Sequence, residues 1–271
     1  MEDQLNILQS FKTISLGEIS DINDSLRLMK RQDTKFLLPI EKLERFIEQL
    51  IPHYRILEIE NKRIFEYENL YFDTDALTCY RHHHNQKLNR YKFRHRKYMD
   101  SGLQYFEVKL KDNKRRTVKK RYEKDSVATK LSDGMITKIR NRFPSSHIVD
   151  LGLLKPKIWI SFSRVTLASR ELEERATIDF NLTFKNMTGV KKDLHTIAIA
   201  EIKQERLNLR SPFALALKEL NSYPGTFSKY CTGIFLMENP RRSGRFKKRI
   251  IALNKQSTSR QTYRRRKICI S

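Results

Sequence analysis

The feature that most constrains the fold is a run of alternating cations in the segment NRYKFRHRKY, residues 89–98. Arg90, Lys92, Arg94 and Arg96 occupy every second position of this segment. Because side chains two residues apart point to the same face of a β-strand, a strand here would bring four cations together. Like charges that face each other destabilise a sheet. The segment therefore predicts a strand whose cationic face either is a solvated edge or binds a polyanion.

Alternation of apolar and ionic side chains continues in three later segments, FEVKLK at 106–111, RATIDFNL at 175–182 and EIK at 201–203. Half-exposed antiparallel sheets are common, so the pattern alone fits solvated ionic faces as well as an ionic interior. Two observations favour the interior. The charged positions are mostly Lys and Arg with few Glu, and helices with apolar stripes need a surface on which to pack. We therefore expect the apolar faces to point outward to helices and the ionic faces to line a lumen.

The order of the predicted elements indicates an α+β fold built on a closed or nearly closed antiparallel barrel. Helices are predicted to begin after Pro39, at Asp133 and at Ser211, which is an N-cap followed by a proline at the first helical position. The predicted strands are approximately 34–38, 63–71, 88–98, 105–110, 117–122, 157–166, 175–184 and 197–203.

The net charge of +24 indicates an acidic partner such as phosphates, nucleic acid or an anionic membrane surface. Half of this excess lies in residues 241–271, which contain twelve Lys or Arg and no Asp or Glu. We interpret this region as a basic tail that contacts a membrane protein or an anionic membrane surface, and nucleic acid is not required. A solvated tail without a partner is the alternative.

Cysteine usage and the first residues predict a cytoplasmic protein, with peripheral attachment to a membrane left open. Three widely spaced cysteines argue against a disulfide framework or a zinc module and fit a reducing compartment. The opening MEDQLNILQSFK has acids where a signal peptide needs bases. No run approaches the roughly 18 apolar residues of a membrane span.

Nine short segments carry a family resemblance and follow one another in the family's order. They are RQDTKFLLP (31–39), NLYFDT (69–74), NRYKFRHRKY (89–98), YFEVKLK (105–111), TVKKRY (117–122), SFSRVTL (161–167), ERATIDFNL (174–182), AEIKQE (200–205) and FSKYCTG (227–233). Together they resemble the polyphosphate polymerase domain of the vacuolar transporter chaperone (VTC) family, within the CYTH-like triphosphate tunnel metalloenzymes. The resemblance divides the chain into an N-terminal segment (1–29), a VTC-like tunnel domain (30–240) and the basic tail (241–271).

The resemblance implies an eight-stranded antiparallel β-barrel, a tunnel with flanking helices, that binds ATP with Mn²⁺ or Mg²⁺ and extends a polyphosphate chain. Carried over position by position, it implies five residues that act on the transferred phosphate: Arg94, Arg96, Lys109, Arg164 and Arg175. Five lysines are expected to bind phosphate or polyphosphate: Lys35, Lys92, Lys119, Lys203 and Lys229. Glu201 would hold the metal, and Glu107 is the second candidate because EVK and EIK share the same Glu-x-Lys spacing.

These residue types suit phosphoryl transfer, in which the protein mainly positions the groups and neutralises charge on the transferring oxygens. Arginine offers a bidentate fork for phosphate and lysine a compact charge, while a hard cation needs only one or two carboxylates. Arg164 is an exception to the pattern because it has the parity of the apolar Ile160 and Phe162. A β-bulge near Ser163 could re-aim it.

Two other functions stay open from the sequence. One is a triphosphatase or nucleotide phosphohydrolase in the same barrel, in which water replaces the phosphate chain as acceptor. The other is a non-catalytic protein that binds polyanions or nucleic acid. The triplet His82-His83-His84 is interpreted as a polar hairpin tip, because three adjacent histidines in a strand cannot all face one zinc ion.

Overall fold

The computed structural model describes residues 3–21, 32–114, 116–127, 129–143, 148–238 and 240, with side chains from residue 6 onward. The predicted basic tail, 241–271, lies outside the described residues. None of the helices in the described ranges combines the length and the hydropathy that a membrane-spanning helix needs.

Twelve strands form one sheet in the described part of the chain. The strands are β1 (Lys12–Ile14), β2 (Gln32–Pro39), β3 (Tyr54–Leu57), β4 (Phe65–Asp73), β5 (Arg90–Tyr98), β6 (Gln104–Lys111), β7 (Thr117–Glu123), β8 (Lys155–Ser169), β9 (Glu174–Asn186), β10 (Lys191–Leu194), β11 (Ile197–Gln204) and β12 (Pro224–Gly225). Their order is β12-β2-β11-β9-β8-β4-β5-β6-β7, with β3 beside β8, β1 beside β3 and β10 beside β9. Antiparallel pairing prevails, and β1 runs parallel to β3.

Helices lie on both faces of this sheet. The α-helices of the described residues are α1 (residues 16–21), α2 (Leu43–Leu50), α3 (Thr78–His84), α4 (Asp133–Arg142), α5 (Pro212–Glu219) and α6 (Lys229–Glu238). The 3-10 helices are Asp3–Ser10, Ile40–Lys42 and Leu151–Leu153. The α+β class and the largely antiparallel sheet are therefore confirmed.

The prediction of eight strands closed into a barrel is wrong for the described part of the chain. The sheet has twelve strands, and β7 and β12 at its two ends are not paired with each other. Closure requires a continuous ladder between the two edge strands, and β12 has only two residues to offer. The sheet is nevertheless strongly curved, because side chains from both of its halves line one cavity.

The outer face of the sheet carries apolar side chains under α2 and α5, as predicted. Helix α5 begins at Ser211, whose hydroxyl accepts a hydrogen bond from the backbone N–H of Ala214 at 3.4 Å. The ring of Phe213 packs edge-on against that of Phe46 with centroids 5.1 Å apart. This outer core also contains Phe36, Leu43, Ile47, Leu50, Ile178, Phe180 and Ile202.

The inner face of the sheet is apolar at one end, where α6 packs on β8 and β9. Gly233 of α6 comes so close that an added Cβ would lie 2.6 Å from Cδ1 of Ile158 and 2.8 Å from Cδ1 of Phe184. Side chains can shift only slightly in a packed interior, so this approach requires a glycine. Helix α6 therefore fills one end of the concave face and leaves the other end open.

A β-bulge decides which side chains of β9 share the inner face. The pairing of β8 with β9 shifts between Ser161 and Ser163, and Asn181 of β9 has a left-handed backbone with φ of 54°. Before the shift Asp179 lies opposite Arg164, and after it Phe184 lies opposite Ile160. The extra residue in β9 thus turns an ionic side chain inward at the open end and an apolar one inward under α6.

The interpretation of His82-His83-His84 as a hairpin tip is wrong, because these residues form the last turn of α3. The carboxylate of Asp73 accepts hydrogen bonds from the backbone N–H groups of Cys79 and Tyr80 at 2.8 and 2.9 Å. It thereby satisfies N–H groups of the first turn that would otherwise lack partners. Asp73 is thus a structural residue that holds the start of α3.

Candidate active site

The open end of the concave face encloses a cavity of about 970 Å³. Among the described residues that line it are twelve Lys or Arg and six Asp or Glu. The cations come from strands on every side of the cavity, because β2, β5, β6, β7, β8, β9 and β11 each turn ionic side chains inward. The interior is therefore cationic, as the alternation predicted.

Glu107 of β6 is the centre of the first ion-pair cluster. Its side chain is only 2% exposed and its two oxygens receive Arg94 Nη2 at 2.5 Å and Lys119 Nζ at 2.6 Å. Arg121 Nε donates at 2.8 Å, and Arg96 Nε lies 3.8 Å away. Burial alone would raise the pKa of Glu107, but these cations hold it far below its usual range.

Asp179 of β9 is the centre of the second cluster. Arg164 donates to it through Nε at 2.5 Å and Nη2 at 2.7 Å, and the ammonium group of Lys229 also donates to it. Lys229 Nζ lies 4.2 Å from the centroid of the Phe162 ring, which fixes its position from the other side. Asp179 is 1% exposed, and although burial opposes ionisation, the two cations keep its pKa well below the usual range.

Glu201 of β11 is the most accessible of the three carboxylates, with 16% of its side chain exposed. It forms an ion pair with Lys35 of β2, which lies directly opposite in the pairing of the two strands. Lys203 Nζ lies 4.0 Å from its other oxygen. The pKa of Glu201 is held well below its ordinary value despite burial, chiefly by Lys35.

Aromatic rings form part of the same wall. The guanidinium groups of Arg96 and Arg164 lie 5.2 and 5.1 Å from the centroid of the Tyr67 ring. The hydroxyl of Tyr71 accepts a hydrogen bond from Arg94 at 3.1 Å. These contacts hold the arginine forks in fixed orientations without neutralising them.

Burial and neighbouring cations lower the pKa of several cations in the cavity. Burial lowers the pKa of Lys203 to about 8, with Glu201 opposing the shift. Burial and the nearby Arg164 lower the pKa of Arg175 to about 10. Lys92 donates to the hydroxyl of Ser228 at 3.0 Å, and burial lowers its pKa as well. A bound anion would relieve this crowding of positive charge, so the site suits a polyanionic ligand.

A model of the VTC domain matches residues 30–238 of this sequence, which is more than half of the chain. The chain belongs to the VTC domain family. This assignment supports a phosphate-handling enzyme, and it does not separate polymerisation from hydrolysis. No curated protein matches the chain.

Solved structures that match this VTC domain include two proteins of low sequence identity. A Vibrio parahaemolyticus protein described as a candidate adenylate cyclase has 11% identity and a TM-score of 0.43, over 74% of this chain and 95% of that one. A Hippeastrum protein described as an adenylyl cyclase candidate with dominant triphosphatase activity has 15% identity and a TM-score of 0.42, over 76% and 95%. Neither similarity is strong enough to assign a function.

The structure places all twelve residues predicted from the sequence on the wall of the cavity. They are Lys35, Lys92, Arg94, Arg96, Glu107, Lys109, Lys119, Arg164, Arg175, Glu201, Lys203 and Lys229. Their roles in binding or catalysis stay predictions.

The position of Arg164 has a different cause from the one suggested by the sequence. Arg164 keeps the parity of Ile160 and Phe162, but the face they share is the inner one, and α6 covers its apolar end. The bulge lies in β9 and turns Asp179 toward Arg164, so Arg164 itself is not re-aimed.

Glu201 and Glu107 differ in their fit to a metal ion. Among the described residues no group of three or more His, Cys, Asp or Glu could hold a metal alone, so phosphate oxygens would have to complete its shell. Glu201 faces the cavity, and Mg²⁺ or Mn²⁺ could replace Lys35 as the partner of its carboxylate. Both oxygens of the buried Glu107 already form ion pairs with Arg94 and Lys119. Glu107 is therefore a poorer metal ligand than Glu201 and is better suited to positioning those cations.

Sequence reasoning did not assign Asp179 or Arg121 to the site. Asp179 shares strand parity with Arg175, so its inward direction was readable, but its pairing with Lys229 joins residues 50 positions apart. The aromatic partners Tyr67, Tyr71 and Phe162 carried no signal that distinguishes a cavity wall from a core.

Proposed function

We propose that this VTC domain transfers the γ-phosphate of ATP to the end of a growing polyphosphate chain. In this reaction a terminal oxygen of the chain forms a bond to the γ-phosphorus, the bond to the β-phosphate oxygen breaks, and ADP leaves. The observation that carries the proposal is the excess of buried cations in one cavity, where each buried carboxylate is already paired.

The chain's own residues supply binding and orientation. Arg164 and Lys229, held by Asp179, and Arg94, held by Glu107, present donors from two ion-pair clusters of the same cavity. Such fixed donors can neutralise charge on the transferring oxygens without reorganising during the reaction. A divalent ion, Mn²⁺ or Mg²⁺, would be held by Glu201 and would supply further neutralisation of the phosphate oxygens.

A second, smaller cavity of about 340 Å³ adjoins the first and supports a chain-like ligand. The two cavities share lining residues that include Lys35, Lys92 and Lys109. The smaller cavity adds Arg90 and Lys111, so the cationic wall continues from the larger cavity into the smaller one. Continuity of this kind favours chain extension over hydrolysis of a short substrate.

The test is to incubate the full chain with ATP and Mn²⁺ and to separate the products by electrophoresis and nucleotide chromatography. We expect ADP together with a ladder of polyphosphate. We expect Glu201→Gln to lower turnover at least about 100-fold, because the carboxylate that would hold the divalent ion is lost. Glu205→Gln, at an exposed position just after β11, is the matched control. Orthophosphate without a ladder would indicate a hydrolase. The absence of both orthophosphate and the polyphosphate ladder would contradict the proposal that the protein is an enzyme.

A further inference from the structure

Helix α6 begins at the larger cavity, where its first two residues, Lys229 and Tyr230, line the wall. The ammonium group of Lys229 donates to Asp179 of β9. The hydroxyl of Tyr230, a residue only 1% exposed, donates a hydrogen bond to the carboxylate of Asp73 at the end of β4. Burial and Asp73 raise the pKa of Tyr230 well above its ordinary value, so the phenol keeps its proton and stays a donor. The start of α6 is therefore tied to two strands.

Asp73 is a firmly held acceptor for this hydrogen bond. It is fully buried, and its oxygens also accept hydrogen bonds from the backbone N–H groups of Thr74 and Cys79 at 2.8 Å and of Tyr80 at 2.9 Å. Loss of the Tyr230 hydroxyl would leave these three donors in place. The carboxylate would then still have partners, so the fold should tolerate the change.

The ring of Tyr230 makes a second contact, which leads to the Glu107 cluster. It stacks on the ring of Tyr71 with centroids 5.2 Å apart and 17° between the ring planes. The hydroxyl of Tyr71 accepts a hydrogen bond from Arg94, which also pairs with Glu107. Tyr230 thus connects the start of α6 with both ion-pair clusters, since it follows Lys229 in the chain and packs on a partner of Arg94.

This anchoring of α6 matters most when Lys229 binds a phosphate. In the ligand-free protein the ammonium group is held by Asp179 and by the Phe162 ring, whose centroid is 4.2 Å away. A phosphate that takes this ammonium group as its partner competes with Asp179 for it. The position of Lys229 then depends more on its backbone, which the hydrogen bond from Tyr230 to Asp73 fixes to β4.

We propose that Tyr230 is a positioning residue that, through its hydrogen bond to Asp73, holds Lys229 where the lysine can bind a phosphate of the ligand. The inference rests on the proposed function for its class of ligand, a chain of phosphates. It gives Tyr230 no contact with the reacting atoms, so the effect of Tyr230 on the ligand passes through Lys229.

The first test is the variant Tyr230→Phe, which keeps the ring that stacks on Tyr71 and removes the hydroxyl. Binding of inorganic tripolyphosphate to the full chain is measured by titration calorimetry. We expect the variant to bind about fivefold more weakly than the wild type, which is the order of effect of one lost hydrogen bond. Tyr223→Phe is the matched control and should bind as the wild type does, because Tyr223 is 59% exposed and lines neither cavity.

The second test separates positioning from general stabilisation of the fold. Lys229→Gln removes the charge of Lys229 but keeps a side-chain N–H donor for Asp179. If Tyr230 acts through Lys229, adding Tyr230→Phe to Lys229→Gln should cause no further loss of affinity for tripolyphosphate. A merely structural role of the hydroxyl predicts the same loss, about fivefold, in both backgrounds.

Three outcomes would overturn the inference and leave the proposed function standing. They are wild-type affinity in Tyr230→Phe, equal losses of affinity in the two backgrounds, and a Tyr230→Phe variant that thermal unfolding shows to be unfolded. Wild-type protein that does not bind tripolyphosphate would overturn the inference and the proposed function together. Protein that shows the expected binding pattern but forms neither ADP nor polyphosphate from ATP would overturn only the proposed function.

Discussion

The two faces of the same strands differ in what stabilises them. On the outer face of β9 and β11, Ile178 and Ile202 are buried against α2 and α5. On the inner face, Asp179 and Glu201 are buried against cations. Apolar burial stabilises the fold directly, whereas a buried ion pair gains little over its desolvation penalty. The outer face therefore holds the fold together, and the inner face is organised for a ligand.

The largest effect is expected from a truncation on the outer face. Phe213→Ala should lower the free energy of unfolding by about 4 kcal/mol, because it removes a fully buried ring that packs on Phe46 and leaves a cavity. Urea denaturation measures the loss. Saturating tripolyphosphate should raise the stability of this variant and of the wild type by the same amount, since the ligand binds the other face.

A smaller loss, and a different response to ligand, is expected on the inner face. Glu107→Gln should lower the free energy of unfolding by about 3 kcal/mol, because Arg94 and Lys119 then lose their counter-ion in a buried site. Tripolyphosphate should restore more stability to this variant than to Phe213→Ala. If tripolyphosphate raises the free energy of unfolding of both variants by the same amount in the same urea titrations, the distinction between the two faces is wrong.

The smallest effect is a pH dependence of the ligand-free protein. Burial lowers the pKa of Lys203 to about 8, below the roughly 10.4 of an unfolded lysine. The folded state thus favours the neutral amine of Lys203. The contribution of Lys203 to the free energy of unfolding is therefore most favourable above the pKa of the unfolded state and is lost as the pH falls through the pKa of the folded state. We expect the free energy of unfolding to rise by about 2 kcal/mol between pH 8 and pH 10.

The control for this pH dependence is Lys203→Met. In this variant the free energy of unfolding, measured by urea denaturation at both pH values, should lack the part of the rise that comes from Lys203. Bound tripolyphosphate should also remove it, because the anion favours the charged lysine. A rise of the same size in Lys203→Met would mean that the inner face is not the source.

The fold was predictable wherever the signal is local. The spacing of Leu43, Phe46, Ile47 and Leu50 predicts α2, and the Ser211-Pro212 pair predicts the start of α5. The His82-His83-His84 triplet was wrongly predicted to form a hairpin tip, and the first turn of the helix that it belongs to is held by Asp73, which precedes that helix in the chain. Local patterns do not report which earlier carboxylate will accept the first N–H groups of a helix.

For the candidate site, the sequence by itself determined which residues are charged and which share a strand face, because alternation at a period of two is a local property. Only the tertiary structure decided that the sheet of the described residues stays unclosed, that α6 fills the apolar end and that Asp179 meets Arg164 and Lys229. These outcomes depend on a bulge in β9 and on the pairing of strands far apart in the chain. Register between distant strands is set by the packing of the whole sheet, so no single segment carries it.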